Sequence, residues 1–240
     1  MNKTNLHAGI KIDAYYIGYP KTASTTIEFA LHYHPEIKQL FKTRLFVYDE
    51  YYEYYKNRAT NLFNSDNRII VESDEALISQ VFFNYRTAIE RAYMCNKDLK
   101  IIISLRNQVD RIMSSYRYNI CGDEGFSTFK KWSQGLTGVG VINRSNYYRE
   151  IKYIFDTIPR DQVYIMLYEQ FLSNPVEELN KLFNFLGVSK LPKRYSLDMF
   201  NITPSPISVL MVSLINKLLY PVCYARNHKN KLYLLYIRIQ

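Results

Sequence analysis

Cysteine is scarce and scattered. Cys95, Cys121 and Cys223 are the only three in 240 residues, with no Cys-x-x-Cys pair and no Cys/His spacing of the kind that holds zinc. That pattern leads us to expect no metal site, and an odd count does not suit the disulfide framework of a small secreted domain. Long apolar runs are missing too. None reaches the roughly 18 residues of a spanning helix, and the opening MNKTNLHAGIKIDAYY lacks the apolar core of a secretion signal. A cytoplasmic location is the expectation. Acidic residues are in the minority: 22 Asp and Glu against 31 Lys and Arg leave a net charge of +9. Such a field favours an anionic partner, whether nucleic acid, an anionic lipid surface or a polyphosphorylated small molecule. Tyrosine, by contrast, is abundant at 23 residues, with runs such as YDEYYEYY from Tyr48 that read as a half-buried helix.

The remaining composition, 48% hydrophobic and 22% charged, is that of a folded domain with a real core. Strand and helix signals alternate along it. DAYYIGY (residues 13–19), RIIVES (68–73), KIIISLR (100–106) and QVYIMLYE (162–169) read as buried strands. STTIEFALHYH (24–34), residues 79–95, NQVDRIMSSYRYN (107–119) and SNYYREIKYIFDTI (145–158) read as helices. In the third of these Val109, Ile112, Met113 and Tyr116 share one apolar face, with Asn107 a plausible N-cap. NPVEELNKLFNFLG carries Asn174 as cap, Pro175 at the first helical position and Gly187 as stop. The alternation predicts an α/β fold whose parallel sheet is covered on both faces. It ceases near residues 189–206. We expect one domain over 1–240, with its core at 13–206 and a helical extension at 207–240.

In such a fold ligands bind beyond the carboxyl ends of the strands. The first strand runs into YPKTASTT, where small hydroxyl residues and Lys21 stand at the start of a helix. Backbone N–H groups, the helix N-terminus and an ammonium are the parts of a phosphate or sulfate cradle. A Walker loop, GxxxxGK[ST], is absent, since this loop has one glycine and its lysine comes early. The third strand ends on Arg106, and Ser114 follows two helical turns on, sharing a face with Asp110 and Arg117. Arg106 and Ser114 suit a second anionic group, so the ligand should carry two.

Together YPKTASTT (19–26) and LRNQVDRIMSSY (105–116) resemble the two signatures of the PAPS-dependent sulfotransferases. HPEI after the first helix and VYIMLYEQFLSNPVEELNKLFNFLGV resemble the carbohydrate-type and bacterial members. The resemblance spans residues 13–206. It implies a three-layer α/β/α fold like that of P-loop NTPases, and PAPS as co-substrate with PAP as product, without a metal. It also implies that Lys21 contacts the transferring sulfuryl group and the bridging oxygen. Thr22, Ala23, Ser24, Thr25 and Thr26 would bind the 5′-phosphate, and Arg106 and Ser114 the 3′-phosphate.

The sequence departs from that pattern in places. Ala23 stands where the family has glycine, and Gln108 where it has proline. The catalytic glutamate of carbohydrate-type members has no counterpart in FKTRLFVYDE, where Thr43 or Arg44 falls near its position. Of the acids within reach of the end of the second strand, Glu72, Asp74 and Glu75, the last two are the candidate general bases, since both directly follow a strand end. His32 and His34 read as structural. Tyr51, Tyr52, Trp132 and Tyr147 could stack on sugar rings, and core packing explains them equally well. The expected acceptor is a glycan, glycolipid or small molecule, with no nucleic acid. The apolar-then-basic stretch 207–240 leaves open a peripheral membrane contact. Lys193 and Arg194, or residues 226–231, are candidates for a basic loop at the 3′-phosphate. Two other readings stand beside this one: a nucleotide kinase with a degenerate phosphate loop, and a relative that binds nucleotide or glycan without catalysis.

Overall fold

In the computed structural model, residues 11–41, 43, 46–50, 52, 68–74, 77, 84–121 and 128–190 are described. Of these, the residues up to Asn107 and from Asn146 onward form one compact unit, and Gln108–Ser145 belong to a second. The expected core boundary at 206 and the extension after it lie outside the described residues.

The first unit is built on β1 (Ala14–Tyr16), β2 (Ile37–Phe41), β3 (Ile69–Ser73), β4 (Lys100–Leu105) and β5 (Val163–Leu167). They form one sheet in the order β2-β3-β1-β4-β5, parallel throughout. β1 pairs with β3 through Tyr16↔Ser73 and with β4 through Tyr16↔Ile102. The chain therefore steps outward from β1, returns to β3, and crosses over to β4 on the other side. That reversal puts the switch point of the sheet at the end of β1, where ligand crevices open.

Strand alternation sorts the core into two layers. Tyr15, Ile17, Ile70, Ile101 and Ile103 face one way. They pack against Ala88, Ile89 and Ala92 of α2 (Tyr85–Cys95) and Ile154 of α6 (Tyr148–Thr157). Ala14, Tyr16, Val71 and Ile102 face the other. Their cover is Ile27, Ala30 and Leu31 of α1 (Ser24–Tyr33), Phe171 of α7 (Tyr168–Ser173), and Leu179, Leu182, Phe183 and Leu186 of α8 (Pro175–Leu186). A strand buried on both faces reads as a near-continuous apolar run, and Ile101–Leu105 supplies one broken only by Ser104. α8 forms as its sequence prescribes. Asn174 accepts from the N–H of Glu177 at 3.4 Å, Pro175 opens the helix, and Gly187 closes it at φ 83°.

The second unit holds α3 (Gln108–Cys121), α4 (Phe129–Gln134) and α5 (Leu136–Asn143). The buried face of α3 differs from the apolar face expected from the sequence. Val109, assigned to an apolar face, is 67% exposed, whereas Arg111, Ser114 and Ser115 are buried. The Arg111 guanidinium donates to the Val141 carbonyl (3.0 Å) and the Ser145 hydroxyl (2.7 Å). Hydrogen bonds of that kind let a charged side chain occupy a buried helix face. β2, α4, α5 and α7 were not anticipated. Lys38 and Gln39 interrupt the apolar run of β2, α4 is only six residues long, glycines punctuate α5, and α7 starts directly where β5 ends.

Candidate active site at the end of β1

Ile17 continues β1 by donating to the Ile102 carbonyl (2.9 Å), after which the chain turns through Gly18–Ala23 into α1. Among the described residues other than glycine, only Lys21 (φ 70°) and Ala23 (φ 63°) have left-handed backbones. Left-handed residues alternating with ordinary ones turn backbone N–H groups into a concavity that suits an anion. Ala23 is also the N-cap of α1, and it offers no side-chain cap. A helix start leaves its first N–H groups without intrahelical acceptors and carries the positive end of the dipole. The loop thus joins two anion-binding devices. Ser24 and Thr26 are buried, and Lys21 and Thr25 are half-buried.

Thr22 departs from its expected role in one respect. Its side chain turns inward: the hydroxyl donates to the Tyr19 carbonyl (2.5 Å) and meets the Ser104 hydroxyl at 2.6 Å. Ser104 in turn lies 2.7 Å from the Tyr16 hydroxyl. What Thr22 can offer a ligand is its backbone N–H.

Arg106, at the end of β4, reaches back to this loop. Its Nη1 donates to the Lys21 carbonyl (3.2 Å), and its guanidinium lies 4.1 Å from the centre of the Tyr168 ring. Its Nε is buried with no hydrogen-bond partner among the described residues, a donor that a phosphate oxygen can take. The Arg106 carbonyl accepts from Tyr147 (3.0 Å), whose ring packs 4.7 Å from that of Tyr19. Next in the chain, the Asn107 N–H donates to Glu169 at 2.8 Å. Tyr147, Tyr168 and Glu169 hold Arg106 and its neighbour in place, and the sequence reading gave none of them that part. Ser114 belongs to the second unit, where it is 2% exposed on α3.

The carboxylates at the end of β3 part company. Glu72, fully buried, accepts from the Thr43 N–H (3.1 Å) and the Thr43 hydroxyl (2.7 Å). Thr43, which stands near the family's glutamate position, is thereby clamped to an acid from the neighbouring strand. Asp74 is fully buried, and its N–H donates to the Tyr16 carbonyl (3.0 Å). Its backbone is therefore drawn to the end of β1, where the loop begins. Glu75 lies outside the described residues, as do Lys193, Arg194, residues 226–231 and Tyr51. The other aromatic candidates are core residues: Tyr52 packs against Phe46, Trp132 against Tyr116 and Phe129, and Tyr147 against Tyr19. His34 is structural. It accepts at Nδ1 from the Glu36 N–H (3.2 Å) and so donates from Nε2 to the Ser189 carbonyl (2.8 Å).

Residues 11–200 match the sulfotransferase domain family, and the chain belongs to it. It is 23% identical over 188 residues to the human heparan sulfate glucosamine 3-O-sulfotransferases 3B1 and 3A1, which covers 74% of this chain. The chain spans just under half the length of these curated relatives, 46% and 45%. Among solved structures it resembles a sulfotransferase from Alicyclobacillus acidocaldarius, with a TM-score of 0.62 at 18% identity. That match covers 88% of this chain and 92% of the other. The sulfotransferase domain of the Synechococcus PCC 7002 olefin synthase matches with a TM-score of 0.51 at 13% identity, covering 93% and 98%. These likenesses bear on the fold, which is the three-layer α/β/α arrangement with a central parallel sheet. No helix among the described residues is long and apolar enough to cross a membrane.

Proposed function

We propose that this chain transfers the sulfuryl group of PAPS to a hydroxyl or amine of a glycan or glycolipid by in-line displacement. The observation that carries the reading is the loop at the switch point, where left-handed Lys21 and Ala23 lead into the uncapped N-terminus of α1. Family membership supports the reaction class, and the names of the human relatives support a glycan acceptor.

In this reading Lys21 neutralises the charge that builds on the bridging oxygen as the sulfur–oxygen bond to the nucleotide breaks. Backbone N–H groups of residues 22–26 hold the 5′-phosphate, with the Thr25 hydroxyl as a further donor. Arg106 holds the 3′-phosphate, its buried Nε matching a phosphate oxygen. Asp74 or Glu75 takes the proton of the acceptor hydroxyl or amine as the new bond from its oxygen or nitrogen to sulfur forms, a contribution of about 10²- to 10⁴-fold. The burial of Asp74 beside the end of β1 supports it for this task.

Calorimetric titration with adenosine 3′,5′-bisphosphate, in EDTA, tests the donor site. Micromolar binding that needs the 3′-phosphate and is lost in Arg106→Ala is the expected result. Binding of ATP with magnesium and not of the bisphosphate would overturn the reading in favour of a kinase. With labelled PAPS and a panel of glycans, Asp74→Asn should cut turnover by about 10²-fold or more while bisphosphate binding persists. Bisphosphate binding without turnover on any acceptor would point to a non-catalytic relative.

A further inference from the structure

Gly18, Thr22, Ser104 and Tyr16 make a feature that the two family signatures do not explain. Thr22 has a single hydroxyl proton and donates it to the Tyr19 carbonyl. It must therefore accept from Ser104, and Ser104, its proton spent, must accept from Tyr16. The result is a buried, one-way chain: Tyr16 to Ser104 to Thr22 to the Tyr19 carbonyl. It begins on β1, crosses to β4 and ends inside the loop. Gly18 gives it room, since a Cβ there would come within 2.5 Å of both the Ser104 and the Tyr16 oxygens. Thr22 also sits between the two left-handed residues, Lys21 and Ala23. Pulling its side chain inward fixes the pivot about which both neighbours take a costly backbone conformation. The same loop receives Arg106 on the Lys21 carbonyl.

We propose that Ser104 is a positioning residue for the nucleotide loop: through Thr22 it holds the loop in its strained, anion-receiving shape before any ligand arrives. This rests on the donor-site reading above. Side-chain hydroxyls on a central strand then set the affinity for the nucleotide without touching it.

The test uses the full chain, adenosine 3′,5′-bisphosphate as probe, and amide exchange at residues 21–26 without ligand. Thr22→Val, which keeps the shape and loses the hydroxyl, should weaken binding about five- to tenfold and speed exchange in the loop. Thr22→Ser should restore both to within about twofold. Ser104→Ala should match Thr22→Val, and the double variant should be no worse than either single one, because both break the same chain. Should Ser104→Ala fail to fold, Tyr16→Phe removes the first donor while keeping the ring and should show the same pair of changes. Wild-type binding in Thr22→Val, a Thr22→Ser as weak as Thr22→Val, or additive losses would overturn the inference. If the wild-type protein ignores the bisphosphate, the donor-site reading falls. The exchange measurement still decides whether Ser104 shapes the loop.

Discussion

At the scale of single residues, Ala23 sits where the backbone favours glycine. A left-handed conformation costs a residue with a Cβ about 1–2 kcal/mol, partly offset by the greater freedom that glycine loses on folding. Ala23→Gly should therefore raise unfolding stability in urea by roughly 0.5–1 kcal/mol. Gly18→Ala should do the reverse, by about 1–3 kcal/mol, because the added methyl collides with the hydroxyl chain. Arg106→Lys keeps a charge and loses both the fork and the stacking on Tyr168, so bisphosphate affinity should drop about tenfold in calorimetry. The sequence singles out Lys21 and Arg106 by their spaced motifs, and the fold brings the two together at the Lys21 carbonyl. Their supports were not legible there. Ser104 meets Thr22 across 82 positions, and Tyr147 meets Arg106 across 41. Such pairings exist only once the sheet has brought distant segments together.

At the scale of elements, legibility followed local signals. α8 announces itself by cap, proline and stop, and the folded helix uses all three. Asn174→Ala removes both the cap on the Glu177 N–H and the Asn174 amide's bond to the Glu177 carboxylate (2.7 Å). It should cost about 1 kcal/mol in thermal or urea unfolding. β4 was equally plain. β2 was not, since among the described residues it is an edge strand paired only with β3 and so carries Lys38 and Gln39 without penalty. α3 misled in a more instructive way. Its apolar periodicity was real, yet the described buried residues are Arg111, Ser114 and Ser115, with Ile120 the one apolar residue among them. Small hydroxyls and a hydrogen-bonded guanidinium are invisible to a count of apolar residues. Ser114 stood out by its place two helical turns after Arg106 and by its motif, not by hydrophobicity.

At the scale of the whole molecule, hydrogen bonds tie two segments of the first unit that lie 153 positions apart in the chain. The turn after α1 and the segment after α8 are joined by His34 to the Ser189 carbonyl and by Glu36 to the Ser189 N–H (3.1 Å) and hydroxyl. The hydrogen bonds from Ser189, its hydroxyl first, hold the Glu36 carboxyl below its ordinary value of 4.5. A depressed carboxyl stabilises the fold at pH values above its unfolded pKa, and that help fades as pH falls through the lowered value. The melting temperature of wild-type protein should thus exceed that of Glu36→Gln at neutral pH. The gap should shrink as acid is added below about pH 4.5.

β1 has a consequence of another kind. Only three residues long, it is flanked by strands on both sides, and its exit is pinned by Ile17 to Ile102 and by Asp74 to Tyr16. Exposing those two amides to solvent means splitting the sheet down the middle. They should be among the slowest to trade hydrogen for deuterium, at rates set by unfolding of the whole first unit. Two amide signals beside the anion loop would then serve as a built-in gauge of that unit's stability.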